Sequence, residues 1–267
     1  MEIVKSLPFS EYIKRKDHLS NHQLVHLDDC PATFQYFLTA PLDPPTADQI
    51  EGSCFDIAVF NLDLFKQVVI RDGSRKTIAE TKDKGYLLGW ERYDRLIVMA
   101  ENTLNHPQIS KILATGNFQV SVFTELGEVK VKSRPDFLPD HLPIIVDFKT
   151  TRVTPSPRNL RNESARYKYY RQAAFYLDQQ PDRKAFVLVW VPKTAPYLPV
   201  VEEVVADTLQ FGRWEYKKLL ELYKDCTKTG IWAGHWQVRR HQIPKCVMLE
   251  AGYVEEEVEN GAIPDNE

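Results

Sequence analysis

Two carboxylates and a lysine surround one short apolar run, and their types and spacing suit the hydrolysis of phosphodiester bonds. The run spans residues 134–151 (RPDFLPDHLPIIVDFKTT) and contains Asp136, Asp147 and Lys149. Side chains i and i+2 share a face of a strand, so Asp147 and Lys149 should point together while Phe148 points away and exposes its carbonyl between them. Carboxylate oxygens are the ligands that Mg²⁺ prefers, and a nearby cation can position the attacking water. We therefore predict metal-dependent cleavage of nucleic acid.

A buried strand must position these groups. Ile144, Ile145 and Val146 form a continuous apolar run, which is typical of a strand that is covered on both faces. The charged residues then follow at the carboxyl end of a core strand, where sites in α/β sheets tend to lie. The alternative is an Asp-x-Lys pair that only solvates the edge of a sheet.

The composition is that of a globular protein with one large domain. The chain has 267 residues, 43% of them hydrophobic, and a formal net charge of −3. We expect a single domain over 1–253, with a helical amino-terminal part over about 1–115 and a catalytic core over about 116–237. The acidic tail 254–267 has too few apolar residues to fold alone, so it should be disordered. The sequence shows no apolar stretch long enough to cross a membrane and no signal-type start, which favours a soluble intracellular protein.

The cysteines give no clear metal or disulfide signal. Cys30, Cys54, Cys226 and Cys246 lie far apart and form no CxxC pair. Free thiols are therefore expected. A four-cysteine iron–sulfur cluster is the alternative.

A basic segment follows the acid–lysine strand directly. Between residues 152 and 171 the only acid is Glu163. The basic residues that we assign to DNA binding are Arg158, Arg161, Arg166, Lys168 and Arg171. A basic patch beside a hydrolytic site can contact the phosphates of a nucleic acid, although a solvated helix face would look similar.

The periodicity predicts helices first and strands later, which indicates an α/β core with an amino-terminal helical cap. Asp56 lies among apolar neighbours on a predicted helix, either exposed or turned inward toward a metal. After Gly116 the period becomes that of a hairpin, and the core strand follows. The predicted elements are two short helices in 20–38, a helix over about 48–67, one or two helices in 92–115, the hairpin up to Asp136, the strand 144–149, a helix over about 162–178, strands at 185–191 and 197–206, and a helix at 208–229.

These segments, in this order, resemble the PD-(D/E)XK nuclease superfamily and, within it, the exodeoxyribonuclease VIII (RecE-like) family that phages often encode. The resemblance covers about residues 18–237. It rests on Ser20 to Pro31, GSCFD, RPDF, IIVDFKTT, YYRQAAFYLD, FVLVWVPKTAPY and GRWEYKKLLELYKDC followed by GIWAGHW. It implies a restriction-endonuclease-like α/β (α+β) core, with a mixed central sheet flanked by helices and a helical amino-terminal region.

The resemblance also implies roles for individual residues. Asp136 and Asp147 match the family's metal-binding acids, the Phe148 carbonyl matches a main-chain ligand, and Lys149 matches the lysine that orients the water. Gln172 and Tyr176 match a Gln-x-x-x-Tyr pair that helps to hold the scissile phosphate or the lysine. For that pair, the alternative is ordinary helix packing.

Two positions depart from the family pattern. Asp56 replaces the usual His of a G-x-x-x-H helix, and Gln119 replaces the usual Glu before an S-V-F strand. Asp supplies an oxygen ligand in place of imidazole, which suits Mg²⁺ or Mn²⁺, whereas Gln retains only a weaker carbonyl ligand. We therefore include Asp56 and Gln119 among the expected metal ligands, and expect a rearranged site that remains active.

The function that the resemblance implies is a Mg²⁺-dependent (or Mn²⁺-dependent) deoxyribonuclease. It would digest linear double-stranded DNA from its ends, 5′ to 3′, and produce single strands for recombination. Implied partners are double-stranded DNA ends, a single-strand annealing protein and further copies of the chain in a ring, with no membrane. The setting would be the cytoplasm of a bacterial host, if the chain is phage-encoded or prophage-encoded. The alternatives are an endonuclease or nickase, a catalytically impaired DNA-binding or recombination protein, and an unrelated interaction protein that uses the acidic tail.

Overall fold

Helices precede the main strands along the part of the chain that the computed structural model describes, residues 1–41, 44–73, 78–81 and 85–234. The helices are α1 Phe9–Lys14, α2 Asn21–Asp29, α3 Pro31–Thr39, α4 Ala47–Phe60, α5 Leu62–Val68, α6 Trp90–Asn105, α7 Pro107–Ile112, α8 Pro157–Tyr167, α9 Tyr169–Asp178 and α10 Ala206–Thr229. The strands are β1 Glu2–Val4, β2 Val69–Asp72, β3 Ile78–Thr81, β4 Gly85–Gly89, β5 Gly116–Phe118, β6 Ser121–Leu126, β7 Val129–Ser133, β8 Phe137–Pro139, β9 Ile144–Thr151, β10 Ala185–Pro192 and β11 Val200–Glu203.

A mixed five-stranded sheet forms the centre of the fold. Its order is β11-β10-β9-β8-β5. Strands β9 and β10 run parallel and pair along their full lengths, and the other neighbours are antiparallel. Two smaller sheets have the orders β1-β6-β7 and β2-β4-β3. This mixed sheet with its surrounding helices confirms the predicted α/β fold class.

Strand β9 is covered on both faces, as its apolar run predicts. Ile145 belongs to one hydrophobic cluster, with residues of α2, α9 and α10. Val146 and Phe148 belong to a second cluster, with residues of α4 and α6. Successive side chains of a strand point to opposite faces, so Asp147 and Lys149 share the α9 face with Ile145.

The first helices follow their sequence signals. Ser20 caps α2 through a capping box with Gln23, and Pro31 begins α3, so the predicted pair of short helices in 20–38 is confirmed. The predicted helix over 48–67 is two helices. It breaks at Asn61, whose backbone is extended and whose side chain accepts a hydrogen bond from the Leu64 amide at 2.9 Å. Asparagine is a favoured N-cap, so Asn61 starts a new helix.

The prediction of one helix over 162–178 is wrong. The helical segment begins earlier, at Pro157, and divides at Lys168, where φ is 58°. A non-glycine residue in this left-handed region costs about 1 to 2 kcal/mol, so the break needs contacts that hold it. Ion pairs of Lys168 with Glu215 and Asp28 supply them.

Helix α10 packs closely on α9. A Cβ atom on Gly212 would lie 2.5 Å from the Tyr170 carbonyl oxygen, which is too close for any other residue without a shift of the backbone. Gly212 therefore fixes the approach of α10 to the helix that carries Gln172 and Tyr176. This contact supports the face of the central sheet on which Asp147 lies.

Some of the other predicted strands and helices differ from those in the structure. The predicted hairpin after Gly116 is present as β6 and β7, and the partner of β10 is shorter than predicted, Val200–Glu203. Strands β1 to β4 add sheet structure to the region that was expected to be helical.

Residues Met1–Gly234 form one compact unit, and the predicted disordered tail 254–267 lies outside the described residues. Among the helices that the structure describes, none is long and apolar enough to cross a membrane.

Three cysteines are buried as free thiols. Cys30, Cys54 and Cys226 are unpaired and at most 8% exposed. Cys246 lies outside the described residues.

Candidate active site

Asp147 and Lys149 are in direct contact on the α9 face of β9. Asp147 is only 2% exposed, and its Oδ1 forms an ion pair with Lys149 Nζ. Its other oxygen, Oδ2, accepts a hydrogen bond from Gln172 Nε2 at 3.0 Å. The strand geometry that the sequence predicts thus brings the acid and the lysine together, and α9 adds the glutamine.

Asp136 reaches the same place from the start of β8. Its Oδ2 accepts a hydrogen bond from the Phe148 backbone N–H at 2.8 Å, which ties it to the residue between Asp147 and Lys149. Burial and the nearby Asp147 carboxylate raise the pKa of Asp136 to about 8, although Lys149 and the Phe148 hydrogen bond oppose that shift. The two acids of the motif are therefore close enough to repel each other when both are ionised.

Asp56 of α4 is the third acid of the site. Burial, followed by repulsion from Asp136 and Asp147, raises its pKa well above the ordinary range, and Lys149 opposes this shift. These interactions place Asp56 beside the motif acids and favour the inward orientation over the exposed one. Three carboxylates therefore share one site with one lysine.

Lys149 is held in its charged form. Burial alone would lower its pKa, but Asp147, Tyr169 and Asp136 raise the pKa above its ordinary value. Its Nζ lies 4.4 Å from the centre of the Tyr169 ring, in cation–π geometry. Lys149 can therefore donate hydrogen bonds to a water or phosphate oxygen, but it is a poor general base.

One face of α9 supplies the remaining polar groups. Gln172 and Tyr176 are one turn apart, and burial raises the pKa of Tyr176 well above its ordinary value, with smaller contributions from Tyr12 and Asp147, while its hydrogen bond with Gln172 lowers it. Tyr169 lies on the same face, because residues three and seven positions apart align on a helix. The sequence prediction missed Tyr169, although its spacing of three residues before Gln172 was a usable signal.

Gln119 is oriented differently from the predicted metal ligand. Its amide nitrogen donates to Asp136 Oδ1 at 3.2 Å, and its oxygen accepts from Arg134 Nε at 2.9 Å. The oxygen that should bind a metal is thus engaged by Arg134, and Gln119 instead holds Asp136. Its backbone has φ of 51°, and its N–H donates to the Asp136 carbonyl at 2.9 Å.

Arg134 is a second residue that the sequence prediction missed. It lies two residues before Asp136 and also donates to Ser121 Oγ and the Leu7 carbonyl, both at 2.8 Å. Its guanidinium therefore links the amino-terminal segment to the support of Asp136. In the sequence, its role was indicated only by its position two residues before Asp136, in the segment RPD.

The donor set fits a divalent cation, although the described residues contain no group of three His, Cys, Asp or Glu side chains already arranged around a single ion. Asp147 Oδ1 contacts Lys149 but accepts no hydrogen bond of good geometry. Carboxylates that repel one another, and a buried oxygen with lone pairs to spare, are stabilised by a hard cation. Asp147, Asp136 and Asp56 could hold such an ion, and the Phe148 carbonyl stays a predicted ligand.

The predicted DNA-binding residues divide into two groups. Arg158, Arg161 and Arg166 are exposed on α8. Arg171 is fully buried, with ion pairs to Asp28 at 2.9 Å and Glu215 at 3.5 Å, so its assignment to DNA binding is wrong.

Lys168 is partly buried and pairs with Glu215 at 2.9 Å. Both Lys168 and Arg171 stabilise the junction of α8, α9 and α10. Of the five predicted DNA-binding residues, the three arginines of α8 are exposed in the way that phosphate contact requires.

Comparison with protein families agrees with this geometry. Residues 20–238 match the family described as a PDDEXK-like domain of unknown function (DUF3799). The chain belongs to this family. The PDDEXK-like part of the sequence resemblance is thus confirmed, whereas the RecE-like assignment and a phage origin stay predictions.

One solved structure shares this fold. The crystal structure of a "putative exonuclease" from Eubacterium rectale superimposes with a TM-score of 0.61 at 16% identity, over 95% of this chain and 100% of that chain. The crystal structure of SSO0001 matches with a TM-score of 0.36 at 15% identity, over 82% of this chain and 88% of that chain. No curated protein matches the sequence. The Eubacterium rectale structure supports the fold of the PDDEXK-like domain.

Proposed function

We propose that this PDDEXK-like protein is a metal-dependent deoxyribonuclease that degrades linear double-stranded DNA from its ends. The observation that carries this proposal is the contact of Asp147 with Lys149 beside Asp136 and Asp56. Clustered carboxylates next to a charged lysine are suited to phosphodiester hydrolysis. The name of the Eubacterium rectale structure supports an exonuclease rather than another phosphodiesterase.

In hydrolysis, a water oxygen attacks phosphorus, the bond to the leaving oxygen breaks, and that oxygen takes up a proton. A bound Mg²⁺ or Mn²⁺ would neutralise phosphate charge and acidify the water. Lys149 donates hydrogen bonds that position the water and stabilise the charge of the transition state. Asp147 fixes Lys149, and Gln172 fixes Asp147.

Asp136 is aligned from two sides. The Phe148 N–H and the Gln119 amide each donate to one of its oxygens. With both hydrogen bonds in place the carboxylate cannot rotate freely, so its orientation is set before any cation or substrate binds. Such preorganisation lowers the reorganisation that the reaction requires.

The exposed arginines of α8 are proposed to bind the DNA backbone. Arg158, Arg161 and Arg166 make no ion pair among the contacts that the described residues show, so their charges are available to phosphates. Such contacts make affinity fall steeply with salt. Polarity from 5′ to 3′, recombination, a single-strand annealing partner and a ring of several copies are further parts of the proposal.

The test is digestion of end-labelled linear duplex DNA with Mg²⁺ or Mn²⁺, against the Asp147→Ala variant and against a closed circular plasmid. We expect metal-dependent shortening of the linear DNA by the wild-type protein, and none by the variant or with EDTA. Cleavage of the circle would instead indicate an endonuclease or nickase. Equal activity of the wild-type and Asp147→Ala proteins would contradict a nuclease function.

A second candidate is a DNA-binding recombination protein with an impaired site. The orientation of Gln119, whose oxygen faces Arg134 instead of the acids, favours it. Salt-sensitive binding of duplex ends, together with no cleavage under any divalent metal, would support this candidate over the first.

A further inference from the structure

Two stacked tyrosines lead from Lys149 to the protein surface. The Tyr169 ring lies under Lys149 Nζ at 4.4 Å. The Tyr167 ring stacks on Tyr169, with centroids 5.6 Å apart and planes at 24°. Tyr167 is 47% exposed, so the row begins at the catalytic lysine and ends in solvent.

This stack exists because the helix breaks between the two rings. Residues i and i+2 of a continuous helix do not face each other. The left-handed backbone of Lys168 turns Tyr167 and Tyr169 into contact. Backbone strain that persists where a structure holds it firmly is often found at ligand sites, and here Glu215 holds Lys168.

Tyr169 and Tyr167 each contact one further side chain. Tyr169 packs against Trp190 at 5.6 Å, so it is anchored to the central sheet. The exposed Arg166 guanidinium lies 5.3 Å from the centre of the Tyr167 ring. Guanidinium groups both stack on aromatic rings and pair with phosphates. Arg166 can therefore leave the Tyr167 ring and pair with a phosphate when a base stacks on that ring.

The charge around the row matches a nucleic-acid strand. Arg158, Arg161 and Arg166 are exposed on α8, the helix that ends at Tyr167. Proteins that bind single strands combine such cationic tracks with aromatic rings on which bases stack. A single exposed ring matches one base better than a base pair, so the ligand that fits this surface best is an unpaired base.

We propose that Tyr167 and Tyr169 form a stacking platform for an unpaired nucleobase of the strand whose phosphate lies at Lys149. This proposal rests on the proposed nuclease function and adds the form of the substrate, a DNA end whose terminal bases are separated. Tyr167 presents its ring to the base, Tyr169 supports Tyr167, and Arg166 pairs with the adjacent phosphate.

The test measures DNA affinity for each combination of protein variant and DNA probe. The measurements are made in EDTA, where DNA is not cleaved. The probes are duplexes with a short 5′ or 3′ overhang, each with the overhang intact or with one abasic position at successive sites. The proteins are wild type, Tyr167→Ala and Tyr167→Phe, with Tyr36→Ala as a matched control because Tyr36 is a 65% exposed tyrosine on α3.

We expect one abasic position to weaken binding by wild type and Tyr167→Phe about tenfold, which is the effect of losing one stacked base. The same position should leave binding by Tyr167→Ala unchanged, while Tyr36→Ala should behave as wild type. A flat abasic scan for wild type, or equal sensitivity of wild type and Tyr167→Ala, would overturn the platform.

Failure of the platform is distinguishable from failure of the nuclease. If wild type digests DNA and Tyr167→Ala digests overhang substrates with the same KM, the platform is refuted and the nuclease stands. If wild type neither binds DNA nor cleaves it beyond Asp147→Ala, both proposals fail. An increase of about tenfold in KM for Tyr167→Ala, with kcat retained, supports the platform.

Discussion

Gln172 holds Asp147 in place for Lys149, with 3.0 Å between the Gln172 Nε2 and Asp147 Oδ2 atoms. The other Asp147 oxygen is then left for Lys149 and for a cation. Gln172 is on a helix and Asp147 on a strand, so this hydrogen bond links two of the elements that form the site. The groups proposed to be catalytic are thus fixed by a residue that need not react itself.

Loss of this hydrogen bond should slow the reaction without unfolding the protein. We expect Gln172→Ala to lower kcat about 10-fold to 100-fold, because Asp147 is free to rotate once its partner is lost. Gln179→Ala is the matched control, since Gln179 caps the same helix and, among the described residues, its side chain donates only to the Phe175 carbonyl, at 2.9 Å. Steady-state kinetics and urea denaturation of both variants are the measurements, and equal kcat values would refute the positioning role.

Substitutions at Gln119 should change the metal requirement. Gln119→Glu adds a carboxylate beside Asp136 and should lower the Mn²⁺ concentration for half-maximal activity by about tenfold, since added ligand charge strengthens cation binding. Gln119→Leu removes the donor to Asp136 and should raise that concentration. The two variants are compared by titrating their activity and their Mn²⁺ binding with Mn²⁺. A lower half-maximal Mn²⁺ concentration for Gln119→Leu than for Gln119→Glu would contradict this role.

The strand and its charged face could be predicted from the sequence because their signals are local. The apolar run of β9 and the alternation of Asp147, Phe148 and Lys149 need only neighbouring residues. The orientation of Gln119 depends on Arg134, 15 residues away. The break at Lys168 depends on Glu215, 47 residues away, and no periodicity within a helix contains that information.

Arg171 should affect stability and Arg161 should affect DNA binding. Arg171→Met leaves Asp28 and Glu215 without their buried partner and should cost about 2 to 4 kcal/mol in the free energy of unfolding, somewhat less than for a fully enclosed pair, because Asp28 is partly exposed. Arg161→Met, at an exposed site, should change it by less than about 0.5 kcal/mol.

For DNA affinity the expected pattern is reversed: Arg171→Met should leave the affinity unchanged, because Arg171 is buried. Arg161→Met combined with Arg166→Met should weaken DNA binding. It should also reduce the slope of log affinity against log salt concentration by the equivalent of about one to two phosphate contacts. Urea denaturation and binding titrations over a range of KCl concentrations test both expectations. An unchanged salt slope would remove α8 from the DNA interface.

Asp136 and Asp56 should make the metal-free protein less stable as pH rises. Burial and mutual repulsion raise the pKa of Asp136 to about 8 and that of Asp56 well above its ordinary value, whereas carboxyls of the unfolded chain ionise near pH 4. Between these values the folded state holds protons that the unfolded state has released. The free energy of unfolding must therefore fall as pH rises through that window.

Asp56→Asn removes one ionising group, so it should be more stable than wild type at pH 8 and nearly equal to it at pH 4. Urea denaturation in EDTA at several pH values measures the difference, with the exposed Asp182→Asn as the control that should show none. Mn²⁺ at pH 8 should stabilise wild type more than Asp56→Asn, because a cation neutralises the repulsion that the substitution has already removed. If Asp56→Asn instead destabilises the protein equally at both pH values, Asp56 acts as a packing residue and not as a member of the acid cluster.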